Sequence, residues 1–91
     1  MKTIADISGN NAAHQLTTNA DIYATAVYLG ATGGPARVGD ANVGATRGAS
    51  IEASRIFTFP PKPFAQGSYK LSAIFVYVPA GTTLSITYDN D

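Results

Sequence analysis

No stretch of this chain keeps large apolar residues at the three- and four-residue spacing of a helix for three turns. The segment that leans most towards a helix, residues 11–15, is too short to hold one alone. Apolar residues come instead in short runs rich in β-branched and aromatic side chains, each closed by Gly, Pro, Asn or Asp. Ile22-Tyr23-Ala24-Thr25-Ala26-Val27-Tyr28-Leu29 runs up to Gly30, and Ala36-Arg37-Val38-Gly39 follows the turn signal Gly33-Gly34-Pro35. Residues 49–52, Ile56-Phe57-Thr58-Phe59, residues 69–78 and residues 83–88 complete the set. Asp40-Ala41-Asn42, residues 44–48 and Pro79-Ala80-Gly81-Thr82 separate them as turns or loops. Successive strands without crossover helices exclude a parallel α/β sheet. The expectation is an all-β fold: an antiparallel β-sandwich of six to eight short strands.

The 91 residues bound the chain to one small domain. Six Lys and Arg offset six Asp and Glu, which argues against a nucleic-acid binder driven by phosphate neutralisation. Without cysteine there is no disulfide or thiolate site, and one histidine excludes a multi-His metal centre within one chain. The longest apolar run, residues 73–79, falls far short of the roughly 20 residues of a spanning helix, and no membrane role is expected. Residues 1–6 carry no apolar core of a secretory signal. Charged residues make up only 13%, about half the roughly 25% usual for soluble domains. With 15 alanines among its apolar residues, such a chain either exposes much small-residue surface or hides it against other subunits. The second alternative, a homo-oligomer, is favoured.

Two strands sharpen that expectation. Residues 83–88 alternate Leu84, Ile86 and Tyr88 with Ser85 and Thr87, as a strand with one wet face does. In residues 69–78, Leu71, Ala73, Phe75 and Tyr77 form one face while Ile74, Val76 and Val78 form the other, so both faces are apolar. Residues 22–29 behave similarly. The outer face of a two-layer sandwich is ordinarily polar, so a loop, the N-terminal segment or a neighbouring subunit covers these faces.

Chemistry-bearing residues are sparse, and no catalytic, cofactor-binding or metal-binding residues are assigned. His14 has no nucleophile-elbow motif to serve and reads as a surface or a hydrogen-bonding residue. Asp40 and Asn42 share the opening of a calcium loop but lack its remaining acidic ligands, so a side-chain-stabilised turn is the better account. Gly39, Gly44 and Gly48 read as turn geometry. The chain is therefore not expected to be an enzyme, and no cofactor is called for.

The stretch Ala36-Arg37-Val38-Gly39-Asp40-Ala41-Asn42-Val43, then Gly48-Ala49-Ser50-Ile51, Tyr69-Lys70-Leu71-Ser72-Ala73-Ile74-Phe75-Val76 and Ala80-Gly81-Thr82-Thr83-Leu84-Ser85-Ile86-Thr87-Tyr88, resembles a recurring small virion protein of tailed bacteriophages. The resemblance covers roughly residues 14–88. Where that family carries P-G-x-S, this chain has Glu52-Ala53-Ser54-Arg55. The resemblance implies a jelly-roll-like sandwich of the capsid decoration (cement) or head-fibre type, homo-oligomeric and often trimeric, without catalysis. It also implies the major capsid protein as partner and a place on the capsid surface of the virion, assembled in the host cytoplasm. The alternative is a head-fibre or tail-associated module that binds a host cell-surface glycan.

On this reading residues 1–13 form an N-terminal arm and residues 14–91 the sandwich domain. Partner contacts are expected from Ile4 and Ile7 as anchors of the arm, and from Phe57, Phe59 and Phe64 around the proline segment. Arg37, Arg47 and Arg55 are expected as charge-assisted contacts.

Overall fold

A computed structural model describes residues 2–60 and 69–90. The strands are β1 (Lys2–Ser8), β2 (Ala12–Gln15), β3 (Tyr23–Ala24), β4 (Ala26–Thr32), β5 (Ala36–Gly39), β6 (Ala49–Ile51), β7 (Ile56–Phe59), β8 (Tyr69–Lys70), β9 (Phe75–Val78) and β10 (Thr83–Asp89). Every ladder between them is antiparallel. One sheet runs β1-β10-β4-β7, a second β2-β9-β5-β6, and β3 pairs with β8 in a two-stranded ribbon.

This order is that of a jelly roll. With the ribbon set aside, the first strand pairs with the last (β1 with β10), the next with the next-to-last (β2 with β9), then β4 with β7 and β5 with β6. The chain is thus doubled on itself like one long hairpin whose tip is the loop between β5 and β6. Rolling that hairpin places its strand pairs alternately in the two sheets. The all-β antiparallel sandwich expected from the sequence is the fold observed.

The core lies between the sheets. Val27, Leu29 and Ala31 of β4 and Leu84, Ile86 and Tyr88 of β10 face Ala36 and Val38 of β5, Ile51 of β6, and Val76 and Val78 of β9. Strict alternation produces this: in β10 the inward even-numbered residues are buried, while Thr83 and Ser85 are exposed. Leu16, Leu71 and Ile74 close one end of the core.

Two long expected strands are broken. Residues 22–29 divide at Thr25, whose backbone N–H and hydroxyl both donate to the Asp89 carbonyl (2.7 and 3.0 Å). The chain passes there from the ribbon into the larger sheet. Residues 69–78 divide at a 3₁₀ turn over Leu71–Ala73, closed by Ile74 N–H donating to Leu71 C=O (3.1 Å). Strict alternation would set Leu71 beside Phe75 and Tyr77; the turn redirects it into the core, where it is fully buried. Residues 11–15 are no helix, because their main chain is used by β2 in pairing with β9.

Of the expected arm, residues 2–8 and 12–13 are placed in the sheets. β1 is a full edge strand of the chain's own β10 sheet, and the expected boundary at residue 13 falls inside β2. The link between them, residues 9–11, is pinned by Gly9 N–H to Thr82 C=O (2.8 Å) and by Asn10 and Asn11 N–H to Val78 C=O (3.1 and 3.0 Å).

Candidate functional site

Two surfaces carry side chains beyond the needs of the fold. The first is the β7 edge of the larger sheet. No described strand pairs with the far side of β7. Ile56 projects from its outer face and is 65% exposed, unusual for so large an apolar side chain. Phe57 and Phe59 point the other way, opposite Leu29 and Val27, and pack half-buried against the core margin. Their rings meet edge to face at 5.6 Å, and Phe59 meets Tyr69 likewise at 5.3 Å. Tyr69 hydroxyl donates to Pro60 C=O (2.9 Å), which fixes the outer end of this row. Tyr23, 44% exposed, belongs to the ribbon strand that pairs with β8, next to Tyr69.

The second surface is the outer face of the β9 sheet. Tyr77 lies between Ala13 on β2 and Arg37 on β5, and Arg37 lies beside Ser50 on β6. Phe75 lies between Gln15 and Gly39. Both aromatics are half-buried. The apolar outer face expected for this strand is therefore present, partly filled in by small neighbours and by the stem of Arg37. Beside Tyr77 is a cleft of about 340 Å³ lined by Pro35, Arg37, Ala45, Ser50, Tyr77 and Pro79. Arg37 Nη1 donates to Gly48 C=O (2.9 Å), which holds the guanidinium on this face. A second hollow, of about 310 Å³, lies in the loop after β5 and includes Asp40 and Arg47. That loop has the expected side-chain-stabilised turn, with Asn42 N–H donating to Asp40 Oδ1 (2.8 Å). Gly48, at φ +109°, lets the chain re-enter β6; Gly39 and Gly44 have no such requirement.

The residues expected at a partner interface are scattered by the fold. Ile4 and Ile7 face inward, opposite Ile86 and Leu84, and pack against the core. They anchor β1 within this chain. Arg37 sits on the outer face of the β9 sheet, whereas Arg47 is exposed in the loop before β6 and Arg55 is exposed just before β7. Phe57 and Phe59 come together; Phe64 lies outside the described residues, as do residues 61–63 of the proline segment. Sequence reasoning named Arg37 but missed its grouping with Tyr77, Pro35 and Pro79, which depends on cross-strand register. The available signal was the apolar odd-numbered face of residues 69–78.

His14 is half-buried, and its Nε2 donates to Asn10 Oδ1 (2.8 Å), in keeping with a hydrogen-bonding residue. Among the described residues no three His, Cys, Asp or Glu side chains come together as metal ligands would. Comparison with protein-family models, curated proteins and solved structures found no match to this chain.

Proposed function

We propose that this chain is a structural protein of a tailed-phage virion. It acts as a capsid decoration protein that binds, as a homo-oligomer, between major capsid protein subunits. The observation that carries the reading is the β7 edge, which exposes Ile56 on its outer face and carries the half-buried ring row Phe57, Phe59 and Tyr69 on its other face. Aromatic and large aliphatic side chains at a sheet edge, with few charges, are the make-up of a protein interface core. The resemblance of residues 14–88 to small phage virion proteins and the jelly-roll strand order support the same reading. A cement protein stabilises a shell by binding the assembled state and not its dissociated subunits. That work needs apolar contact area and no reactive group.

The direct test is co-sedimentation with expanded shells of the major capsid protein from the phage that encodes this chain. Saturable binding at a fixed ratio per capsomer, with raised thermal stability of the shell, is the expected result. Absence of co-sedimentation at micromolar concentrations overturns the assignment.

A further inference from the structure

We propose that the cleft between Tyr77, Arg37 and the two prolines binds an acidic sugar ring, a pyranose bearing a carboxylate. The proposal concerns a different surface from the β7 edge and does not rest on the capsid assignment.

The cleft lies on a sheet face whose main-chain groups are already used. β5 is laddered to β6 on one side and to β9 on the other, and β9 is laddered to both β2 and β5. The two flanking residues, Pro35 and Pro79, offer no N–H. An extended peptide, which takes its affinity from main-chain pairing with a free edge, finds none on β5 or β9; the nearest open edge is the far side of β6, beyond Ser50. What remains is side-chain recognition of a compact ligand.

The walls suit a ring. The Tyr77 ring and the two pyrrolidine rings are rigid and apolar, and present flat surfaces to the C–H face of a sugar at little entropic cost. The Tyr77 hydroxyl makes no hydrogen bond among the described residues and is available to ring hydroxyls. The volume, about 340 Å³, is at the small end for ligand pockets, which suits one or two rings.

The charge selects the acid. Among the described residues Arg37 is the one ionised side chain lining the cleft, with the Glu52 carboxylate at its margin beside Ser50. Its Nη1 contact to Gly48 C=O uses one of five guanidinium donors and orients the rest. A guanidinium recognises a carboxylate through two parallel hydrogen bonds. The loop hollow, by contrast, has both Asp40 and Arg47 on its lining, so its charges offset one another. Ser50 hydroxyl reaches Glu52 Oε1 only at 3.5 Å, a long bond that a sugar hydroxyl can replace.

The test is a titration of the full chain, followed by amide chemical shifts, with three probes: a glucuronate-containing tetrasaccharide, a neutral glucose tetrasaccharide and an acidic tetrapeptide. The expected result is saturable shifts centred on Arg37, Ser50 and Tyr77 with the glucuronate probe, and at least tenfold weaker binding of the other two. Arg37→Gln lowers affinity for the glucuronate probe at least tenfold and removes the preference over the neutral sugar; Arg37→Lys falls between. Tyr77→Leu, which keeps the apolar bulk, weakens both sugars alike. Unchanged urea midpoints in these variants separate lost binding from lost fold. The proposal is overturned by equal binding of the neutral sugar, by tighter binding of the peptide, or by no shifts at millimolar glucuronate probe. Affinity indifferent to Arg37→Gln overturns it as well.

Discussion

Ile4 and Ile7 stand three residues apart on β1 yet face the same side of the sheet, because they pair with Ile86 and Leu84, which stand two apart on β10. In a regular strand a three-residue spacing puts side chains on opposite faces. The ladder slips between them: Ala5 and Asp6 together occupy the place opposite Ser85, the two-against-one arrangement of a β-bulge. The bulge turns what reads as an irregular N-terminal segment into a strand with two core anchors. β1 covers the edge of β10, which otherwise lies open as a template for another chain.

Removing an anchor of β1 costs stability. Ile7→Ala is expected to lower unfolding free energy by about 1–2 kcal/mol, half of a full core truncation, because the side chain is half-buried. Deleting Ala5 takes out the extra residue and leaves both isoleucines inward, so its cost is expected to be smaller than that of Ile7→Asp. Urea midpoints of the three variants check the order.

The turn between β1 and β2 tolerates no side chain at its first position. A Cβ on Gly9 would overlap the Pro79 carbonyl oxygen, a backbone atom fixed by Thr82 N–H at 3.1 Å. Gly9→Ala is expected to cost about 2–3 kcal/mol or to prevent folding. Gly44→Ala, with nothing within 4 Å of the added carbon, is expected to stay within about 0.5 kcal/mol of the parent. Thermal melts of the pair make the comparison.

Asn11 does two things at once. Its backbone sits at φ +59°, and its Oδ1 accepts the N–H of Ala80 (2.9 Å) across 69 residues of chain. Asn11→Gly keeps the backbone but loses the bond, at an expected cost of about 1 kcal/mol. Asn11→Ala loses both and is expected to cost about 2 kcal/mol. Equal losses for the two variants would show that only the hydrogen bond matters.

The assembly reading makes a separable prediction for Ile56. It is 65% exposed, so Ile56→Lys is expected to change monomer stability by less than about 0.5 kcal/mol. Light scattering of the parent chain at two concentrations is expected to give a mass near three times 9.4 kDa, and of the variant near one. A parent that stays monomeric at both concentrations removes the trimer from the proposal.

Local chemistry made much of the fold legible. The strands at 36–39 and 56–59 have the residues and limits read from the sequence, because turn formers bound them closely. The turn at Pro79 and the side-chain turn at Asp40 also formed as expected, with Thr82 N–H on Pro79 C=O and Asn42 N–H on Asp40 Oδ1. At the candidate surfaces, Phe57 and Phe59 could be singled out together because they alternate on one short strand. Arg37 could be named, but its setting could not.

The amino-acid sequence by itself determined that this protein is a set of short antiparallel strands with an apolar inner face, because period-two alternation and turn propensity act over a few residues. Tertiary structure alone decided which strands share a sheet, where residues 22–29 and 69–78 break, and that the first residues are a strand. It also decided that Tyr77, Arg37 and two prolines meet in one cleft. The Asp89 carbonyl that bends the chain at Thr25 is 64 residues away, and the β10 partners that align Ile4 with Ile7 are more distant still. Such contacts form only once the doubled chain has rolled, since closing loops that long is repaid by burying both sheets together and not by any local preference.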